Sequence, residues 1–235
     1  MKNEFTRTEL LIGKTGLEKL KNSKIVVYGI GGVGSYVVEA LARAGIGHIA
    51  IVDFDKVDIT NINRQLLATH STIGKDKIEV MKERILDINP NAVVETYKPD
   101  EIENGEESLI NNSVTYVVDA IDTITNKIKL IEKANKENVK IISATGAANK
   151  LDPTAFEVAD IYKTSVCPVC KILRKELKQR GIKHLKVVYS KEMPIKPQTE
   201  EKTNERVLGS VSFVPSVAGL IIASQVVKDI ITDNK

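Results

Sequence analysis

Six residues constrain the fold of this chain more than any others: Gly29-Ile30-Gly31-Gly32-Val33-Gly34. An apolar run, Ile25-Val26-Val27-Tyr28, precedes them and reads as a short buried strand. A helical pattern follows, with apolar residues recurring from Val33 to Ala44 and Gly45 as its stop. Glycines let a backbone turn tightly and come close to a phosphate. The helix that starts there offers free N–H groups and partial positive charge. Asp53 ends the next apolar run, His48–Val52, about twenty residues on, where a carboxylate can grip ribose hydroxyls. Strand, glycine turn, helix and acid in this order mark a nucleotide site. They do not separate NAD from ATP.

The alternation continues along the chain. Lys75–Ile88 reads as an amphipathic helix ended by Asn89-Pro90. Runs ending at Tyr97, Ala120 and Thr145 read as further strands, with a helix over about Thr125–Asn138. The expected fold class is α/β: a Rossmann-like, mostly parallel sheet with helices on both faces and a mixed C-terminal extension. We expect one adenylate-type domain over 1–235, with an N-terminal helical arm over 1–23 and a nucleotide-binding core over 24–150. The extension over 151–235 is expected on the substrate side. Its elements are a strand near Thr154–Ala159, a basic helix over Pro168–Gly181, a strand at Leu185–Tyr189 and a mobile polar loop near 193–208. Ser210–Val214 reads as a last strand, with Pro215 opening a last apolar helix.

A chain of 235 residues with 42% hydrophobic content can bury a sizeable core, which excludes generic disorder. The first residues, MKNEFTRTELL, lack the apolar stretch of a signal peptide, and no run reads as a membrane span. A cytoplasmic location without a membrane partner is therefore expected. The formal charge of +3 neither demands nor excludes a nucleic-acid partner. The two cysteines, Cys167 and Cys170, exclude a disulfide framework, and one C-x-x-C pair cannot close a four-cysteine zinc site. They read as ordinary residues near the start of the basic helix. His48, His70 and His184 are isolated and suggest no metal site.

Further polar residues crowd the strand ends where ligands bind in such sheets. Arg64 could neutralise a triphosphate, Asn61 and Gln65 could hold phosphate oxygens, and Asp55 stands beside them. Lys77 opens a helix within reach of phosphate, and Asp122 follows the fourth strand, where it could hold Mg²⁺. This ordered set, Gly29/Gly31/Gly32/Gly34, Asp53, Asn61/Arg64/Gln65, Lys77 and Asp122, closely resembles the superfamily of ThiF, MoeB and the ubiquitin-activating enzymes. The resemblance implies ATP and Mg²⁺ at these positions and attack of a carboxylate on the α-phosphate, with Arg64, Lys77 and Asp122 as catalytic residues. It also implies a homodimer in which Arg7 reaches the partner subunit's ATP.

From about Phe5 to Ile230 the pattern is most similar to the tRNA threonylcarbamoyladenosine dehydratases. The closing segments carry that likeness: Leu151-Asp152-Pro153-Thr154, Asp160-Ile161-Tyr162-Lys163-Thr164 and the basic helix Lys171–Arg180. Cys167-Pro168 departs from the Asp-Pro more usual in that family. The resemblance implies an ATP-driven ring closure on a modified adenosine in tRNA. Lys163, Lys171, Arg174, Lys175 and Lys178 are candidates for phosphate contact, with Arg180 and Lys183 beyond them. It further implies a monovalent cation near the site and a sulfur-delivery protein as a partner. Two other readings stay open: adenylation of a ubiquitin-like sulfur carrier, which shares the ATP site, and an NAD-binding oxidoreductase, which shares only the glycine turn and Asp53.

Overall fold

Ile25, Val26 and Val27 are β-branched or bulky, fully buried and shielded from both sides, which makes Lys24–Tyr28 a central strand, β1. The computed structural model describes residues 2–99, 109–198 and 208–233. Among these, β1 is followed by α2 (Gly34–Ala44), β2 (His48–Val52), α3 (Lys77–Ile88) and β3 (Val93–Tyr97), with α1 (Thr6–Lys21) before it. Then come β4 (Tyr116–Asp119), α4 (Ile124–Lys136), β5 (Lys140–Thr145), β6 (Phe156–Asp160), α5 (Pro168–Gln179), β7 (Lys186–Ser190) and α6 (Phe213–Thr232).

The strands form one sheet in the order β3-β2-β1-β4-β5-β7-β6. Every neighbouring pair is parallel except β6 with β7, so the expected mixed extension is an antiparallel edge. The chain runs outward from β1 through β2 to β3, then returns to place β4 on the other side of β1. A crevice opens where that direction reverses, beyond the carboxyl ends of β1 and β4. Side chains alternate across the sheet. Ile25, Val27, Ile49 and Ile51 pack with α2 and α6 on one face, while Val26, Ala50 and Val117 pack with Leu130 of α4 on the other.

The segment Ser210–Val214 is not a strand: α6 starts at Phe213, and Pro215 is its third residue. The alternating Val and Phe residues suggest a strand locally. However, Val214, Ala218, Ile222, Val226 and Ile230 recur at helical spacing, and burying that stripe prevails. Proline is tolerated there because first-turn N–H groups have no intrahelical acceptor. Gly219 lets α6 lie close on α2, since a Cβ at that position would meet the Val33 carbonyl oxygen. By length and composition α6 is the one described helix apolar enough to cross a membrane, yet in this fold it packs across α1 and α2. Lys19 of α1 donates to the Ile231 carbonyl at 3.0 Å, capping the negative end of α6. The loop expected near 193–208 falls largely on 199–207, which lie outside the described residues.

Ionic links tie helices to their neighbours. Glu39 on α2 accepts from Arg84 of α3 at 2.6 Å and from Arg43 at 2.8 Å. Burial would raise its carboxyl, but the hydrogen bonds from Arg84 and Arg43 outweigh that and hold it below the usual carboxylate range. Lys127 of α4 reaches Asp119 at the end of β4 at 2.7 Å, with side-chain exposures of 2% and 0%. Lys127 also donates to the Ala144 carbonyl at 3.0 Å, and Asp119 accepts from the Ile121 N–H at 3.2 Å. Breaking a buried pair leaves a charge that neither water nor protein compensates. Lys127→Met should therefore cost about 3–5 kcal/mol of folding stability, read as a lower urea midpoint. An unchanged midpoint would show that water or another group compensates Asp119.

Candidate functional site

The glycine turn is fixed by strands on both sides. Gly29 donates to the Val52 carbonyl at 2.8 Å, and Ala120 donates to the Tyr28 carbonyl at 2.8 Å. Gly29 has φ 81, and a Cβ there would lie 2.7 Å from the Ala120 carbonyl oxygen, so only glycine fits. Gly34 is equally restricted, because a Cβ would fall on the Gly29 carbonyl oxygen. Asp53 holds the turn from the β2 side: its Oδ2 accepts from the Ile30 N–H at 2.8 Å and its Oδ1 from the Asp55 N–H at 2.9 Å. Each oxygen keeps a lone pair for a further donor. The N–H groups of Gly31, Gly32 and Val33 have no protein acceptor among the described residues and open at the start of α2. That is the arrangement a phosphate requires.

The corner opposite the turn is built by local capping. Asp58 and Asn61 form a reciprocal cap on the short 3₁₀ turn Ile59–Asn61. The Asn61 carbonyl then accepts from both the Arg64 and Gln65 N–H groups, at 3.0 and 2.9 Å, which projects these side chains together. Gln65 Nε2 would lie 3.6 Å from a Cβ on Gly31, and Arg64 Cγ 3.4 Å from one on Gly32. The corner therefore faces the turn directly. Gln65 is buried, and its Oε1 has no hydrogen-bond partner among the described residues. Arg64 Nη1 is steadied by the Thr60 carbonyl and Asn63 Oδ1, at 2.8 and 2.9 Å. Its other donors remain available.

Lys77, only 4% exposed, meets Asp55 at 2.7 Å, with Asp55 half exposed. The backbone fixes this pair as well, since the Lys77 N–H donates to the Asp55 carbonyl at 3.0 Å. Asp122 is exposed just beyond β4 and, among the described residues, accepts from the Thr123 hydroxyl at 3.2 Å. The structure thus assembles the glycines, Asp53, Asp55, Asn61, Arg64, Gln65, Lys77 and Asp122 along one crevice.

Arg7 is not among them. It is exposed on α1 beside Phe5, which packs on Gly45 at the far end of α2 from the turn. Lys163, Lys171, Lys175 and Lys178 are exposed, and the α5 lysines share one helix face. Arg174 is half buried and donates to the Thr164 carbonyl at 3.0 Å. Arg180 pairs with Glu132 and Glu176, and Lys183 is exposed. No cluster of metal-ligating side chains occurs among the described residues.

Two contacts near the crevice escape a reading of the sequence. Lys127 and Asp119 lie just below Asp122, and Pro215 touches the glycine turn, since a Cβ on Gly32 would be 3.3 Å from its ring. The only sequence signal for Lys127 is a lysine on the apolar side of an amphipathic helix.

Comparison with known proteins agrees with this architecture. The ThiF family profile matches residues 5–235. The tRNA threonylcarbamoyladenosine dehydratase of Bacillus subtilis (strain 168) is 46% identical, over 99% of this chain and 96% of that protein. The enzyme of the same name from Escherichia coli (strain K12) is 35% identical over 85% of this chain and 77% of its own. The crystal structure of the E. coli dehydratase with AMP superposes with a TM-score of 0.84 at 33% identity, covering 97% of this chain and 93% of that one. The complex of that enzyme with ATP gives 0.83 over the same shares. With the glycine turn, its capped corner and the crevice in place, and a match spanning nearly every residue, this chain belongs to the ThiF family.

Proposed function

We propose that this chain dehydrates threonylcarbamoyladenosine in tRNA at the expense of ATP, through an acyl-adenylate, with release of AMP and pyrophosphate. One observation carries the reading: N–H groups of the glycine turn that have no acceptor among the described residues lie beside Gln65, whose Nε2 approaches Gly31, and beside Arg64, whose Cγ approaches Gly32. Similarity over the whole chain to dehydratases, one of them solved with ATP and with AMP, supports it.

The residue roles follow from the geometry. The N–H groups of Gly31, Gly32 and Val33 would bind phosphate oxygens, and Gly29 and Gly34 keep the turn close to the sheet. Asp53 would take the ribose hydroxyls on its free lone pairs. Asn61, Arg64, Gln65 and Lys77 would hold the remaining phosphate oxygens, Arg64 with a rigid planar fork and Lys77 as a buried point charge steadied by Asp55. Asp122 would hold Mg²⁺ on the phosphates, and the ion supplies charge neutralisation of the leaving pyrophosphate when bound. A carboxylate oxygen of the threonyl group attacks the α-phosphorus, and the bond to pyrophosphate breaks. The carbamoyl group of the same nucleoside then attacks the acyl carbon, closes the ring and expels AMP. Because that second attack is intramolecular, proximity supplies the advantage and no enzyme nucleophile is required.

In this proposal residues 24–150 bind nucleotide and 151–235 face the tRNA, within one domain. A homodimer accounts for Arg7, which lies far from its own chain's glycine turn and would serve a partner's site. The exposed lysines Lys163, Lys171, Lys175 and Lys178 would meet tRNA phosphates; Arg174, bonded to Thr164, would position the helix beneath them. A monovalent cation, a sulfur-delivery protein and a cytoplasmic location accompany the same reading.

Incubation with ATP, Mg²⁺ and threonylcarbamoyl-modified tRNA should yield AMP, pyrophosphate and a nucleoside lighter by one water. Arg64→Ala and Asp122→Ala should each slow this by roughly 10²–10³-fold with the fold retained, since each removes a charge stabiliser. An unchanged nucleoside mass, with pyrophosphate formed only on adding a Gly-Gly-tailed carrier protein, would favour the sulfur-carrier reading instead. Replacing Lys171, Lys175 and Lys178 together by alanine should weaken tRNA binding and lower its log–log salt slope by about 3. An unaltered slope would place the tRNA elsewhere.

A further inference from the structure

The reaction above uses neither Cys167 nor Cys170, yet the backbone around them is unusual. Cys167 donates its N–H to the Ser165 carbonyl at 2.6 Å, closing a three-residue γ-turn centred on Val166. Val166 sits at φ 64, a left-handed conformation that a β-branched residue avoids. Strain of this kind persists only where surrounding structure enforces it, and it gathers at functional sites. The turn delivers Cys167 to the N-cap of α5, with Pro168 opening the helix and Cys170 one turn on, on the same side.

The space around the sulfurs is equally specific. Both thiols are reduced. A Cβ on Gly146 would lie 2.7 Å from Cys167 Sγ, so the glycine after β5 leaves room for the sulfur. Cys170 Sγ lies 3.2 Å from the Thr145 hydroxyl. Lys150, only 3% exposed, is fastened to the Glu192 carbonyl and sets a positive charge beside the pair. No cap hydrogen bond closes on the sulfur, yet the N–H groups of Val169 and Cys170 favour negative charge there. The neighbouring Cys170 thiol is the largest influence; with those N–H groups and Lys150 it brings Cys167 down to about 6 against the effect of burial. The same contact pushes Cys170 up, so Cys167 is the sulfur of the pair that loses its proton more readily.

We propose that Cys167 and Cys170 form a peroxide-reactive dithiol at the carboxyl end of β5, with Cys167 as the attacking sulfur and Cys170 as the resolving one. The Cys167 thiolate attacks one oxygen of hydrogen peroxide, the O–O bond breaks, and hydroxide leaves with the second oxygen. Cys167 becomes a sulfenic acid. Cys170 then attacks the oxidised sulfur, its proton goes to the departing oxygen, water leaves, and a Cys167–Cys170 disulfide remains. Cys167 is 2% exposed, so the oxidant proposed is a small one, hydrogen peroxide, and larger thiols and probes meet the sulfurs only when the chain opens locally. A cellular thiol pool returns the pair to the dithiol, its resting form in a reducing compartment.

Intact-mass and peptide mass spectrometry of the folded, full-length protein after brief hydrogen peroxide treatment tests this. We expect the wild type to lose two hydrogens, with residues 167 and 170 joined in one chain and both thiols restored by dithiothreitol once the protein is unfolded. Cys170→Ser should stop at a sulfenic acid on Cys167 that dimedone captures when the treated protein is unfolded in its presence, and Cys167→Ser should show neither product. Wild-type protein whose thiols stay reduced, or whose cysteines pass to sulfinic or sulfonic acid without a disulfide, would overturn the proposal. So would a disulfide formed between chains, or dimedone capture on Cys170 rather than Cys167. The wild-type outcomes decide the matter even if a serine variant does not fold.

Discussion

Contact between the glycine turn and the end of β4 sets the geometry of everything around it. Gly29 has no room for a side chain against the Ala120 carbonyl, and Gly34 none against Gly29 itself. The turn is tied to β2 through the Val52 carbonyl and the Asp53 carboxylate, and to β4 through the Ala120 N–H. Three parallel strands meeting at the point where strand order reverses therefore fix a short arc of backbone to within a side chain's width. The N–H groups left without acceptors are those facing the crevice, so their exposure to an anion is a consequence of packing. Gly219 and Pro215 extend the same logic to α6, which is pressed against the start of α2 and the turn.

Around that arc the charges are arranged in steadied pairs. Lys77 is neutralised by Asp55, Lys127 by Asp119, and Arg64 is held by the Thr60 carbonyl and Asn63. Buried pairs contribute little net stability, but each fixes a charge in place, which suits a site that must meet a triphosphate without reorganising. Lys127 and the Ile121 N–H hold Asp119 in place, while Asp122 stands exposed three residues further on.

Much of this was legible in the sequence, for a physical reason. Buried parallel strands are continuous apolar runs, a turn without room for Cβ demands glycine, and a carboxylate at a strand end has few structural uses. The central strands and helices, Asp53 and the Asn61–Gln65 corner follow from such constraints. What escaped depends on contacts between distant segments. Ser210–Val214 alternates like a strand, and only its burial against α2 makes it helical from Phe213. Lys127 falls on the apolar side of its helix, and only the fold shows that β4 places Asp119 beneath it. The two cysteines look ordinary until Gly146, Lys150 and the turn at Val166 close around them. Arg7 stays apart from the other candidates, exposed on α1 at the far end of α2 from the turn.

The crevice is best interrogated by following an oxygen atom. Threonylcarbamoyl-modified tRNA carrying ¹⁸O in the threonyl carboxylate would be turned over with ATP and Mg²⁺, and the nucleotide and phosphate products weighed. If the carboxylate attacks the α-phosphorus held between the glycine turn and the Arg64 corner, one labelled oxygen leaves in AMP. Label found in inorganic phosphate, with ADP as the nucleotide product, would mean attack on the terminal phosphate and would contradict adenylation at this site.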